Sequence, residues 1–240
     1  MTPPLETVEL ITGRDPDCSV IWLHGLGAEG NDFEPMLAAL RLENSVRFVF
    51  PSAPVRRISA NPALVVRAWY DVLAVDLVSQ EDATSIRAGE AAIGAIVERE
   101  IDRGVASDRI LLGGFSQGAA LALYTALRFP RKLAGILVLS GYLPLRETVA
   151  AQRSLANAQT PIFMAHGSED TVVPHTLAHD SRRSLESLGY AIDWRSYPMA
   201  HMVCGSEVKD ISRWMNARFT PAVQDQSGDK EALDRTGETR

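Results

Sequence analysis

Ser116 stands at the centre of Gly114-Phe115-Ser116-Gln117-Gly118. A serine hydroxyl is a weak nucleophile near neutral pH. It becomes effective when a base takes its proton and a third group orients that base. Further along the chain lie His166-Gly167-Ser168-Glu169-Asp170 and Pro198-Met199-Ala200-His201. The order Ser…Asp…His is the one associated with a nucleophile on a strand-turn-helix corner. Ser116 is therefore assigned as nucleophile and His201 as general base, then general acid toward the leaving group. Asp170 would fix the imidazole tautomer and stabilise the imidazolium. Glu169 is the rival acid; Asp170 is preferred because Val172, Val173 and Pro174 close the loop directly behind it. His166 is expected to shape that turn, and His175 and His179 to share one helix. An oxyanion needs backbone donors. Gln117 N–H follows the nucleophile, and Leu26 N–H in the glycine-rich loop His24-Gly25-Leu26-Gly27 is assigned as the second.

These residues need a scaffold. Ile110-Leu111-Leu112 before the serine reads as a buried strand, and Ala119-Ala120-Leu121-Ala122-Leu123 after it as a helix. Strand patterns recur at 18–23, 46–50, 109–112, 133–139, 161–165 and 192–197, with a weaker edge strand at 6–11. Helical patterns fall at 32–40, 82–103, from the serine to Arg128, and at 145–157, 175–188 and 205–219. The stretch 51–80, broken by Pro51, Pro54 and Pro62, reads as irregular. The alternation predicts one α/β domain over residues 1–219, with a mainly parallel sheet covered by helices on both faces. In such sheets reacting groups gather at the carboxyl ends of the strands, which is where His24, Ser116, Asp170 and His201 fall. The connections after 133–139 and 161–165 are short and leave little chain for a lid. Residues 220–240 lack apolar periodicity and are expected to form a disordered tail.

Composition excludes several functions. The 240 residues carry a net charge of −6, with no basic block for nucleic acid. No apolar run approaches the roughly 20 residues of a membrane span. The N-terminus lacks a secretory pattern, which predicts a cytoplasmic location. Cys18 and Cys204 are expected to lie too far apart to bond, as free thiols in a reducing compartment. No Cys/His spacing suggests a metal site, and the chemistry calls for no cofactor.

Six blocks together resemble the phospholipase/carboxylesterase family of α/β-hydrolases. They are His24-Gly25-Leu26-Gly27, Trp69-Tyr70-Asp71, the Ser116 pentapeptide, Ser140-Gly141-Tyr142-Leu143-Pro144, His166-Gly167 with Asp170, and Tyr197-Pro198-Met199-Ala200-His201. The family includes bacterial carboxylesterases and acyl-protein thioesterases, and the resemblance covers residues 18–219. It implies a hydrolase with little or no lid, acting on carboxylic esters and sometimes on thioesters or lysophospholipids. Eukaryotic thioesterase members carry Trp at the position of Tyr142, so Tyr142 is more similar to the bacterial esterase branch. Trp69, Tyr142, Leu143 and Val172, with Leu26, are expected to wall an apolar acyl site. The expected partner is a small-molecule ester; a homodimer is left open. Acyl transfer to an alcohol or thiol would use the same acyl-enzyme. A binding module without activity is disfavoured, because no catalytic part is missing.

Overall fold

A computed structural model describes residues 5–220. The expected tail therefore lies, apart from Thr220, outside the described residues. A seven-stranded sheet runs β1 (Thr7–Ile11), β3 (Val46–Pro51), β2 (Cys18–Leu23), β6 (Ile110–Phe115), β7 (Gly135–Leu139), β8 (Ile162–Gly167) and β9 (Ile192–Tyr197) across its width. Only β1 is antiparallel to its neighbour. Parallel pairing makes the carboxyl ends of β2, β6, β8 and β9 share one edge, as the expected fold requires.

The central strands are apolar on both sides because both faces are covered. Ile21, Leu23 and Leu112 face a core with α2 (Ala83–Asp102) and α3 (Gln117–Arg128). Val20, Trp22 and Leu111 alternate to the other face, under α6 (Gly205–Phe219) through Ile211, Met215 and Phe219. Every residue of α3 from Gln117 to Leu127 is buried, so the helix that follows the serine is the most enclosed one. The Asp82 side chain caps α2 by accepting from the N–H groups of Thr84 and Ser85.

Three expectations need correction. The stretch 51–80 is not wholly irregular: β4 (Val55–Ile58) and β5 (Asn61–Arg67) form an antiparallel hairpin. Its residues are mostly exposed, so no buried face imposed an apolar alternation on the sequence. The helix expected at 145–157 shrinks to one turn, α4 (Val149–Gln152), between two 3₁₀ turns. The helix expected at 32–40 opens as a 3₁₀ turn and becomes α1 (Glu34–Ala39), with Pro35 in the first turn where its missing N–H costs nothing.

Glu207, in the first turn of α6, is fully buried. Burial pushes its carboxyl up to about 7. Folding thus takes up a proton there between the ordinary carboxylate range and pH 7. Stability falls as pH rises through that window and stays low above it. Glu207→Gln is expected to stabilise the protein at pH 9 by on the order of 2–3 kcal/mol, with the gain shrinking toward zero by pH 5. Urea melts of both proteins at the two pH values measure this; a gain independent of pH would show that the charge is not its source.

Candidate active site

Ser116 occupies the corner between β6 and α3 with φ 55° and ψ −123°, a left-handed conformation that costs a non-glycine residue energy. The corner is held from both sides. Ser116 N–H donates to Leu139 O at 2.9 Å, and Ala120 N–H donates to Ser116 O at 3.0 Å. A Cβ at Gly118 would collide with the carbonyl oxygens of Leu23 and His24, so glycine alone lets α3 sit directly on the end of β2. That close approach brings the loop after β2 to the serine: a Cβ built on Gly25 would stand 3.4 Å from Ser116 Cβ.

Ser116 Oγ lies 2.9 Å from His201 Nε2, and His201 Nδ1 lies 2.7 Å from Asp170 Oδ2. A carboxylate only accepts, so Nδ1 carries the proton and Nε2 is free to accept from the serine hydroxyl. The other carboxylate oxygen, Oδ1, accepts from Val172 N–H and Val173 N–H, each at 2.9 Å. Those two bonds aim Oδ2 at the imidazole. Glu169, one residue earlier, is exposed. The loops after β8 and β9 meet at Gly167, where a Cβ would strike Met199 O and Ala200 O. Phe115 packs its ring against the His201 imidazole, with centroids 4.7 Å apart.

His24 is fully buried and neutral, its pKa lowered by burial. Its Nε2 accepts from Ala53 N–H at 3.0 Å, so Nδ1 must be the protonated nitrogen; it donates to Gly25 O at 2.7 Å. Ala28 N–H also reaches Gly25 O, at 3.2 Å. With that carbonyl held on one side, the trans peptide turns Leu26 N–H the other way. Among the described residues Leu26 N–H has no acceptor in the protein. Gln117 N–H, at the first position of α3, is one of the donors a helix leaves unpaired.

The serine opens on a cavity of about 550 Å³ with largely apolar walls. Of the five expected wall residues, Leu26, Tyr142 and Val172 line it. Trp69 and Leu143 do not; both are packed in the core under α3. The Trp69 indole N–H donates to His24 O at 2.7 Å, and its backbone N–H donates to Gln117 Oε1 at 2.9 Å. Gln117 Nε2 in turn donates to Tyr70 O at 2.9 Å. Trp69 and the Gln117 side chain thus brace the loop after β2 against α3, the helix that follows Ser116. Leu143 N–H is bonded to Ser181 Oγ at 2.9 Å on α5 (His175–Ser187). The walls that sequence reasoning misses come from Phe33, Met36, Tyr70, Leu77 and Val203. The Tyr70 and Tyr142 hydroxyls lie 3.1 Å apart, one donating to the other. The apolar face of 32–40 is visible in the sequence, but not that part of it turns to a cavity. Leu26, Val172 and Met202 are exposed at the mouth. Among the described residues no group of His, Cys, Asp and Glu could hold a metal ion.

A mainly parallel α/β sheet with this strand-turn-helix serine defines an ester hydrolase of the α/β-hydrolase class. The chain belongs to the phospholipase/carboxylesterase family, whose model matches residues 6–218. It is 37% identical to acyl-protein thioesterase 1 of Neurospora crassa over 226 residues, covering 90% of this chain and 92% of that protein. Among solved structures it is similar to SOBER1 of Arabidopsis thaliana, with 30% identity, a TM-score of 0.79, and coverage of 84% of this chain and 98% of that one. The acyl-protein thioesterase 2 of Zea mays matches with 27% identity and a TM-score of 0.78, over 89% of this chain and 99% of that one.

Proposed function

We propose that this hydrolase cleaves acyl esters and thioesters through an acyl-enzyme on Ser116. The observation that carries the reading is the line Asp170–His201–Ser116 opening on the apolar cavity. His201 Nε2 takes the hydroxyl proton as Oγ adds to the acyl carbonyl. The carbonyl oxygen becomes an oxyanion, with Leu26 N–H and Gln117 N–H as its donors. The intermediate collapses, the ester or thioester bond breaks, and His201 gives its proton to the departing oxygen or sulfur. Water then repeats the sequence: His201 removes its proton, the Ser116 ester breaks, and the carboxylic acid leaves. Asp170 stays ionised and stabilises the imidazolium in both halves.

The acyl chain is assigned to the cavity. Relatives named acyl-protein thioesterase support thioesters as substrates, while Tyr142 supports simple esters; both belong in one assay. Each methylene buried from water is worth about 0.8 kcal/mol, so kcat/KM is expected to rise up to about fourfold per added CH₂ until the cavity is full. A p-nitrophenyl ester series by chain length, with one matched thioester, measures this. A profile flat from acetate to decanoate would show that the cavity does not hold the acyl chain. The two cysteines are free, which supports the reducing, cytoplasmic compartment expected for this chain.

A further inference from the structure

His166 is the last residue but one of β8, four residues before Asp170, and the reaction sequence above does not use it. We infer that His166 is a positioning residue for this reaction: by holding the Val173 carbonyl it fixes the loop whose N–H groups aim Asp170 at His201. The inference rests on the triad proposed above.

His166 is 1% exposed, beneath the loop that carries Asp170. Its Nε2 lies 2.8 Å from Val173 O. A carbonyl only accepts, so Nε2 carries the ring proton. The same Nε2 lies 3.3 Å from Asp170 Oδ2, but its proton is directed to Val173 O. Asp170 Oδ2 therefore sits between two imidazoles: the short bond from His201 Nδ1 at 2.7 Å and the longer approach of His166. The loop 167–173 is tied at both ends by one set of contacts. Asp170 Oδ1 gathers the N–H groups of Val172 and Val173, and His166 holds the Val173 carbonyl.

The surroundings keep His166 neutral. Burial lowers its pKa, and the neighbouring imidazoles His175 and His201 act in the same direction, while Asp170 opposes them. The His175 ring stands 5.8 Å away on α5 and contacts in turn His179 and Trp194. From the cavity side His201 also faces Ser116, and Asp32 lines the same cavity. A neutral His166 keeps its Nε2 proton on the Val173 carbonyl. Without that donor the carbonyl is left unpaired, and the loop that holds Asp170 against His201 loses one of its ties.

The test compares His166→Phe, which keeps a flat ring without a donor, with His166→Gln, whose amide nitrogen can take the place of Nε2. His166→Phe is expected to lower kcat about tenfold with KM nearly unchanged. His166→Gln should recover most of kcat by donating to the Val173 carbonyl. A His166→Phe kcat equal to wild type, or a His166→Gln kcat as low as that of His166→Phe, overturns the inference. A second measurement needs no variant. Ring-¹⁵N-histidine NMR of the wild-type protein should show His166 protonated at Nε2 and not at Nδ1, without titrating between pH 6 and 8. The opposite tautomer would also overturn the inference. The tautomer is read whether or not Ser116 proves to be the nucleophile, so failure of the triad and failure of the positioning role remain distinguishable.

Discussion

Ser116→Ala is expected to lower kcat/KM for ester hydrolysis by about six orders of magnitude, by analogy with removal of a triad serine elsewhere. In the proposed reaction the atom lost is the one that bonds to the acyl carbon. What remains is a general base beside two backbone donors, which can only assist water inefficiently. The fold should not change. The Cβ stays in place, the backbone bonds to Leu139 O and from Ala120 N–H involve no side chain, and the left-handed φ of 55° is no worse for alanine than for serine. Thermal stability is therefore expected within about 0.5 kcal/mol of wild type. Progress curves on a reactive ester, with a thermal melt on the same sample, separate lost chemistry from lost structure. Retention of near-wild-type turnover would remove Ser116 from the reaction.

Asp170→Asn is expected to lower kcat about 10⁴-fold while leaving the fold intact. The reason lies in the two oxygens. The Oδ1 position accepts from Val172 N–H and Val173 N–H, so an amide must place its oxygen there. Its NH₂ then faces His201 Nδ1. A donor at that point forces the imidazole proton onto Nε2, where it can no longer accept from the serine hydroxyl. The variant would keep the geometry and hold the wrong tautomer. Single-turnover kinetics on an activated ester check the loss; a drop of less than tenfold would show that Asp170 does not set the tautomer of His201.

Both variants act on residues that are legible in the amino-acid sequence. Ser116 stands out because an apolar strand and a small-residue helix bracket it within a few positions. Asp170 and His201 stand out because each follows an apolar run, and parallel strands bring such ends together. Other features are less visible for physical reasons. The β4–β5 hairpin is mostly exposed, so it leaves no apolar alternation, and Pro54 and Pro62 suggest a loop. Trp69 reads as a pocket wall because aromatic residues often are. Its indole N–H instead braces His24 O, and nothing in the local pattern states which way the ring turns. Phe33 and Met36 fall on an apolar helix face; whether that face meets core or cavity depends on the opposing loop. His166 belongs to the turn it shapes, but its approach to Asp170 depends on the way residues 167–173 fold back over β8.

His201 Nε2 lies 2.9 Å from Ser116 Oγ, and Asp170 Oδ2 lies 2.7 Å from His201 Nδ1; in the proposed reaction Ser116 should therefore form a covalent bond to an acyl-like electrophile. Intact-mass spectrometry and peptide mapping after brief exposure to a fluorophosphonate test this most directly. One adduct per chain is predicted, on the peptide carrying Ser116 and missing from Ser116→Ala. No adduct on the wild-type chain, or an adduct confined to another residue such as Cys204, would contradict it.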